Sequence, residues 1–352
     1  GASLTRGIEF EATDANSDGL GAKTSLTATA TVTVDPINTA PAVSAGMSVV
    51  YTENGAAVSL ASGISITDAD DIELSGAVLE ITNGYTPGDA LALVSQNGIS
   101  GSWNVSTRRL TLTGTGSLAN YQSAISAVTF SSSSDDPTAT SSTRQISIQV
   151  RDANRDGAST GQALSNTAGA TVTITPVNNA PVLGGAPVTT PTYAEAGSPT
   201  LLAPDITISD VDDTQLSGAT VRITSGLRQG DTLNFTAAVS AISGSFNPDT
   251  GVLKLTGAAS LSDYQATLRT VGFFSTSTSP TGSLSSEGRT FEWRVLDANS
   301  DGAGTAISSA LPSSLTINAR NDAPELSSPS ALAARFTEGD APIVLNPNLA
   351  LS

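Results

Sequence analysis

The 352-residue sequence contains no cysteine and no histidine, and only 4% of its residues are aromatic. Without cysteine the chain has no disulfide and no thiolate metal ligand. Without histidine it has neither a Ser-His-Asp triad nor a histidine zinc site. No apolar run approaches the roughly eighteen residues of a transmembrane helix, so we expect no membrane insertion in this segment. A secreted protein without disulfides needs some other means of cross-linking its fold.

Positive charge is also scarce. The chain has 15 Lys and Arg against 32 Asp and Glu, a net charge of −17 and a pI near 4.1. This imbalance argues against nucleic acid and anionic membranes as partners, since both are negatively charged. Because only 13% of the residues are charged, we interpret the acidic excess as carboxylates that a divalent cation neutralises.

The sequence repeats with a period of 142 to 143 residues. Glu53, Glu195 and Glu338 each stand two positions after an aromatic residue, at spacings of 142 and 143. Asn-Xaa-Ala-Pro tetrapeptides punctuate the chain, and they end at Pro41, Pro181 and Pro324. The repeat predicts the end of one module (1–41), two whole modules (42–181 and 182–324) and the start of another (325–352). We expect an excerpt from a longer array, with completion by neighbouring chains as the alternative.

Most of each module alternates apolar and polar residues with a period of two, as in the runs 64–67 and 145–150. Short runs of this kind, bounded by Gly, Asn, Asp or Pro, predict strands that bury one face, as in a β-sandwich. One stretch differs, because Leu118, Tyr121 and Ile125 share a helical face with Ser117 as the expected cap. We predict an all-β fold of tandem sandwich modules with one short helical turn each. Gly88-Asp89 and Gly230-Asp231 are predicted to be turns.

A six-residue signature, Asp-Ala-Asn-Xaa-Asp-Gly, occurs three times. Oxygen-bearing side chains at the first, third and fifth places, followed by glycine, match the first half of a calcium-binding loop. These side chains are Asp14, Asn16, Asp18, Asp152, Asn154, Asp156, Asp297, Asn299 and Asp301. An EF-hand is excluded because the twelfth place holds Ser25, Ala163 or Ser308 instead of glutamate. A plain hairpin turn remains the alternative, and a calcium site would need further ligands from Asp68, from Asp210 or from backbone carbonyls.

Three other acidic or amide features recur in each module. The first is a cluster after a predicted strand, Asp68-Ala69-Asp70-Asp71 and its counterpart Asp210-Val211-Asp212-Asp213. If the strand continues, alternate residues point the same way, and carboxylates held so close repel unless a cation lies between them. The second and third are the strand glutamate and the linker residues. The remaining candidate ligands are Asp70, Asp71, Asp212, Asp213, Glu53, Glu195, Glu338, Asn38, Asn178, Asn321 and Asp322. Solvated acidic turns and exposed strand glutamates are the alternatives.

This order of glutamate, Asp-Xaa-Asp, acidic loop and Asn-Asp-type linker before proline resembles cadherin-like repeats. It is most similar to the longer cadherin-like modules of giant bacterial, RTX-type surface adhesins. The most specific fragment is the linker 321–325, Asn-Asp-Ala-Pro-Glu. The resemblance implies Ig-like sandwiches with Ca²⁺ at the module junctions. It places at the first junction Glu53, Asp68, Asp70, Asn38 and Thr39. It places at the second Glu195, Asp210, Asp212, Asn178 and Asn179.

We therefore expect calcium-stabilised spacer or stalk modules of an extracellular, bacterial cell-surface adhesin or filament, without enzymatic activity. The expected partners are neighbouring modules of the same chain or identical subunits. Two alternatives stay open: an adhesive module that binds a glycan or a cell-surface protein, and a filament subunit completed by strand addition between chains.

Overall fold

The alternating pattern gives strands throughout the computed structural model, which describes residues 4–60, 63–155, 160–185, 189–300, 302–323, 326–327, 335–339, 341–344 and 350–351. The chain forms two units. One comprises Gly1–Asn179 with Asn299–Gly304, and the other comprises Ala180–Ala298 with Thr305–Ser352. The predicted all-β class, with β-sandwiches and short helices, is confirmed.

The first unit starts with an antiparallel hairpin of β1 (Leu4–Phe10) and β2 (Ala28–Val34), whose side chains are exposed from Thr5 onwards. The strands that follow are β3 (Ala42–Ser44), β4 (Gly46–Thr52), β5 (Val58–Ser59), β6 (Ser65–Thr67), β7 (Glu73–Asn83), β8 (Asp89–Ala92), β9 (Ser100–Asn104), β10 (Arg109–Ser117), β11 (Thr129–Ser132), β12 (Thr143–Asp152) and β13 (Ala168–Thr175). They form a six-stranded sheet in the order β4-β13-β12-β7-β10-β9, a three-stranded sheet β5-β11-β8 and the pair β3-β6.

The core lies between the six-stranded and the three-stranded sheet. Tyr51 of β4 meets Phe130 of β11 edge-on, with ring centroids 5.3 Å apart, and both side chains are buried. The pairing of β4 with β13 is parallel, whereas the other strand pairs are antiparallel. Because β4 runs parallel to β13, the two strands end side by side at Thr52 and Thr175. Glu53, the residue after β4, therefore lies next to the linker that follows the sandwich.

The predicted helical turn is confirmed as α1 (Leu118–Ser126). Ser117 caps it, since its hydroxyl accepts a hydrogen bond from the Asn120 N–H at 3.1 Å. Tyr121 and Ile125 are buried on the predicted face. The Tyr121 hydroxyl donates to the Gly114 carbonyl at 2.5 Å, which fixes the helix to the preceding strand. Among the described residues, no helix is long and apolar enough to cross a membrane.

The second unit repeats this plan. Its strands are β14 (Val182–Gly184), β15 (Thr192–Ala194), β16 (Thr200–Leu201), β17 (Thr207–Ser209), β18 (Gln215–Ser225), β19 (Asp231–Asn234), β20 (Ser243–Asn247), β21 (Val252–Ser260), β22 (Gly272–Ser275), β23 (Ser286–Asp297), β24 (Leu311–Asn318), β25 (Leu326–Ser327) and β26 (Ala350–Leu351), with the helix α2 (Leu261–Arg269). The sheet orders are β15-β24-β23-β18-β21-β20 and β16-β22-β19, with the pairs β14-β17 and β25-β26.

A buried ion pair joins the two sheets in each unit. Arg144 of β12 donates to Asp89 of β8 at 2.5 Å, and neither side chain is exposed to solvent. Arg289 and Asp231 form the matching pair at 2.8 Å. Each arginine also donates to a loop carbonyl, of Pro137 or of Pro280. The predicted turns are present, since the Thr86 carbonyl accepts the Asp89 N–H at 3.0 Å and the Arg228 carbonyl accepts the Asp231 N–H at 3.1 Å. The sequence did not predict that each aspartate also starts a strand and is buried there, where arginine from the opposite sheet neutralises it.

Candidate metal centres

Three carboxylates converge beside the first sandwich. Asp68 and Asp71 follow β6, and Asp152 is the last residue of β12. Ligand oxygens of the three groups all lie within 4.8 Å of one another. Asp71 and Asp152 are 2% and 0% exposed. Burying charges of one sign this close is unfavourable unless a cation binds between them.

A local turn selects which aspartates meet. The Asp68 carboxylate accepts hydrogen bonds from the N–H groups of Asp70 at 3.2 Å and Asp71 at 3.1 Å. This turn replaces the extended backbone assumed from the sequence, because β6 ends at Thr67. Asp71 therefore joins Asp68 in the cluster. Asp70 is exposed, and its carboxylate accepts the Thr39 N–H at 2.7 Å.

Asp152 is held by three donors. They are the Asn154 N–H at 3.1 Å, the Ala163 N–H at 2.8 Å and the side-chain amide of Asn38 at 2.8 Å. Ala163 occupies the twelfth place of the loop, so this position contributes a backbone donor to Asp152. Asn38 also donates to the Gly161 carbonyl at 3.0 Å. The linker before the first sandwich is thus attached to the carboxylate cluster through Asp152, whereas the resemblance implied Glu53, Asp68 and Asp70 as the neighbours of Asn38.

Several acceptor atoms of this centre are buried and unused. Within the described part of the chain, Asp68 Oδ2, Asp71 Oδ2 and Asn38 Oδ1 accept no hydrogen bond. No ion pair recorded among the described residues includes Asp68, Asp71 or Asp152. Arg155 is close: its side chain pairs with Glu73, and its backbone N–H donates to Asp71 at 2.5 Å. Burial raises the pKa of Asp68, with an added contribution from Asp70.

The second unit has the same arrangement. Oxygens of Asp210, Asp213 and Asp297 lie within 4.8 Å of one another. Asp210 accepts the N–H groups of Asp212 at 3.4 Å and Asp213 at 3.3 Å. Burial raises the pKa of Asp210 to about 7, and the Asp212 side chain adds to the shift. An oxygen-only set of this kind suits a hard cation such as Ca²⁺ and lacks the nitrogen and sulfur ligands that zinc prefers.

The glutamates lie elsewhere, which corrects their expected position. Glu53 follows β4, and β4 runs parallel to β13 from Gly46 beside Gly169 to Thr52 beside Thr175. The Glu53 carboxylate consequently accepts the Val177 N–H at 3.0 Å, in the linker after the sandwich. The expectation that Glu53 meets Asn38 and Thr39 is wrong. In the same way Glu195 accepts the Arg320 N–H at 2.8 Å, and its other oxygen is buried without a partner among the described residues.

The three acidic loops differ in environment. Asn16, Asn154 and Asn299 share a left-handed backbone, with φ of 48°, 51° and 57°. The first loop is exposed and bonded to itself: Asp14 accepts the Asn16 N–H at 3.0 Å, Asn16 that of Gly21 at 2.5 Å and Asp18 that of Leu20 at 3.1 Å. Asn299 accepts the Gly304 N–H at 2.6 Å, like Asn16. Only the opening aspartates Asp152 and Asp297 join a carboxylate cluster among the described residues.

The other predicted ligands are dispersed. Asn178 and Asp212 are partly buried, and Asn321, Asp322 and Glu338 are exposed. Asp156 and Asp301 lie outside the described residues.

No protein-family model and no curated protein sequence matches the chain. It aligns with solved cadherin structures at low similarity. Mouse clustered PcdhgC3 EC1–3 is 13% identical over 91% of this chain and 78% of its own, with a TM-score of 0.32. Drosophila N-cadherin EC1–4 is 10% identical over 91% of this chain and 58% of its own, with a TM-score of 0.28. Human protocadherin-24 EC1–2 is 15% identical over 81% of this chain and all of its own, with a TM-score of 0.30. The β-sandwich fold rests on the sheets of the chain itself.

Proposed function

We propose that the chain is a run of calcium-stabilised β-sandwich modules, bounded at 1–41, 42–181, 182–324 and 325–352. It serves as a spacer or stalk in an extracellular bacterial adhesin or filament. One observation carries the calcium proposal: Asp68, Asp71 and Asp152 converge with no ion pair to a cationic side chain among the described residues, and the linker residue Asn38 donates to Asp152. The repeat of this centre in the second unit supports a structural role, since a stalk needs the same joint in every module.

Calcium would act through the carboxylates that the fold brings together. In the first unit these are Asp68, Asp71 and Asp152, with the buried Asn38 Oδ1 as a further oxygen. In the second unit they are Asp210, Asp213 and Asp297. A cation there removes the repulsion between the carboxylates and binds only the folded chain. Such binding adds about 2.7 kcal/mol of stability at a free concentration one hundred times the Kd.

Because the linker contacts the carboxylates, an ion that stabilises the sandwich would also restrain the linker. Asn38 and Thr39 already bond to Asp152 and Asp70 at 2.8 and 2.7 Å. An ion that orders these carboxylates also restrains the linker, and Pro36 and Pro41 on either side limit its backbone further. Neighbouring modules, or identical subunits, are the partners that such a joint would hold. The role needs no catalytic group.

Thermal unfolding and small-angle scattering of the whole chain, each in millimolar calcium and in excess chelator, test the proposal. We expect chelation to lower the Tm and to broaden the distribution of dimensions. Magnesium at the same concentration serves as the control for ionic strength and for a smaller divalent cation. A Tm and a scattering profile that do not respond to chelation would refute the calcium-stabilised stalk.

A further inference from the structure

The outer face of the six-stranded sheet in the second unit carries a groove of about 270 Å³. Its lining includes Thr220, Lys254, Thr256, Arg294, Leu296 and Ile307. Lys254 and Arg294 both pair with Thr220, from the strands on either side of it. Neighbouring strands lie about 4.8 Å apart, so the two cationic side chains start about 10 Å from each other. Arg222 is two residues beyond Thr220 on β18 and points to the same side.

This groove is cationic in a chain of net charge −17. Among the described residues, Lys254 and Arg222 take part in no ion pair, and both are exposed. The acidic group beside them is Glu292, which pairs across from Arg222 and accepts Arg294 Nε at 2.6 Å. Among the described residues, three positive charges on this part of the face therefore stand against one negative charge. A concave surface with one sign of charge in excess concentrates ligands of the opposite sign.

The fold does not require this pair of cations beside Thr220, as the first unit shows. Its matching groove, of about 530 Å³, has Thr111 and Gln149 beside Val78 at the places of Lys254 and Arg294. Glu80 stands at the place of Arg222 and is paired with Arg109 at 2.8 Å. The first groove also contains Arg109, which is paired with Glu80, and Arg151. Particular to the second unit is the pair of cations on either side of Thr220, Lys254 and Arg294, which is the pattern expected of a binding site and not of a shared structural feature.

Hydroxyl groups dominate the rest of this face. A second groove of about 570 Å³ is lined by Glu292, Thr224, Thr290 and Ser314. On the other side Ile307, 57% exposed, offers an apolar wall. Carboxylates suit Arg and Lys, hydroxyls suit Thr and Ser, and the C–H faces of sugar rings suit aliphatic side chains. We propose that this face binds an acidic polysaccharide, a chain of uronic-acid sugars. A second copy of this chain is a poorer occupant, because two chains of charge −17 repel.

The test is calorimetric titration of the whole chain with a galacturonic acid tetramer at low salt. Its fully methyl-esterified form is the uncharged control, and a glutamate tetramer is the acidic-peptide control. The Lys254→Thr/Arg294→Gln variant places in the second unit the residues that the first unit carries, so the sheet should fold. Unchanged Tm in this variant checks that it does. The reciprocal variant, Thr111→Lys/Gln149→Arg, builds the cation pair in the first unit.

We expect the acidic tetramer to bind the wild-type chain, with at least tenfold weaker binding to the first variant and a second site in the reciprocal one. The titration is repeated in excess chelator, so that its outcome is separate from calcium binding and from the stalk proposal. Equal binding of the esterified tetramer, equal or tighter binding of the glutamate tetramer, or unchanged binding to the Lys254→Thr/Arg294→Gln variant would each overturn the proposal.

Discussion

The side-chain amide of Asn38 donates a hydrogen bond of 2.8 Å to the buried carboxylate of Asp152, 114 residues further along the chain. The contact attaches the linker to the carboxylate cluster through a neutral donor, and among the described residues no cationic side chain pairs with Asp152. A cation bound at the cluster would therefore strengthen an existing contact, because Asn38 and Asp152 are already in position before it binds.

Asp71→Asn should change stability in opposite directions with and without calcium. In chelator the variant should be as stable as the wild type or more so, because one of three crowded charges is removed while Oδ1 still accepts the Arg155 N–H. In calcium it should be less stable, with affinity at this site about tenfold weaker, or about 1.4 kcal/mol. Chemical unfolding in both conditions measures the two effects.

Two matched variants serve as controls for this prediction. Asp213→Asn should repeat the result at the second centre. Asp249→Asn removes an exposed charge in the turn between β20 and β21 and should alter neither condition. Loss of stability in chelator to the same extent as in calcium would mean that Asp71 is a structural residue and not a metal ligand.

Arg144→Met should destabilise the first unit by about 3 to 5 kcal/mol, because it leaves the Asp89 carboxylate buried and unpaired. Arg109→Met makes the same chemical change in the pair with Glu80, where the arginine side chain is 53% exposed. That variant should cost about 1 kcal/mol or less. Adding Asp89→Asn to Arg144→Met should restore part of the loss. Chemical unfolding measures the loss of stability in each variant. Similar losses for Arg144→Met and Arg109→Met would show that burial does not make the Arg144–Asp89 pair more important than an exposed pair.

Glu287 should make the second unit sensitive to acid. Its hydrogen bonds with Arg228 and with Arg289 lower its pKa from 4.5 to about 2. Because the folded pKa is depressed, the stabilisation is complete above pH 4.5 and is lost as the pH falls towards 2. Glu287→Gln should have a flatter dependence of unfolding free energy on pH in this window. Its side chain is 22% exposed, so the effect should be modest. Parallel curves for the variant and the wild type would contradict the assignment.

Local features of the fold were predictable from the sequence. The α1 helix followed from the capping Ser117 and the apolar spacing of Tyr121 and Ile125, which depend on neighbours a few residues away. Asp68 was predictable as a candidate metal ligand because the acidic cluster that contains it is also a local feature of the sequence. It was not predictable that Asp71 and not Asp70 joins Asp68, because this depends on where β6 ends and a turn begins.

Long-range pairings were not predictable in the same way. Glu53 lies by Val177 because β4 pairs in parallel with a strand more than 100 residues away, and alternation within β4 carries no trace of that partner. The ion pair of Asp89 with Arg144 was also missed. Its signal was present, since an aspartate and an arginine recur at matching places in both modules, as Asp231 and Arg289.

The most direct measurement of calcium binding is anomalous diffraction from crystals of the whole chain grown in calcium. The account predicts one anomalous peak 2.3 to 2.6 Å from oxygens of Asp68, Asp71 and Asp152, and a second at Asp210, Asp213 and Asp297. Crystals that contain calcium but show no peak at either cluster would contradict it.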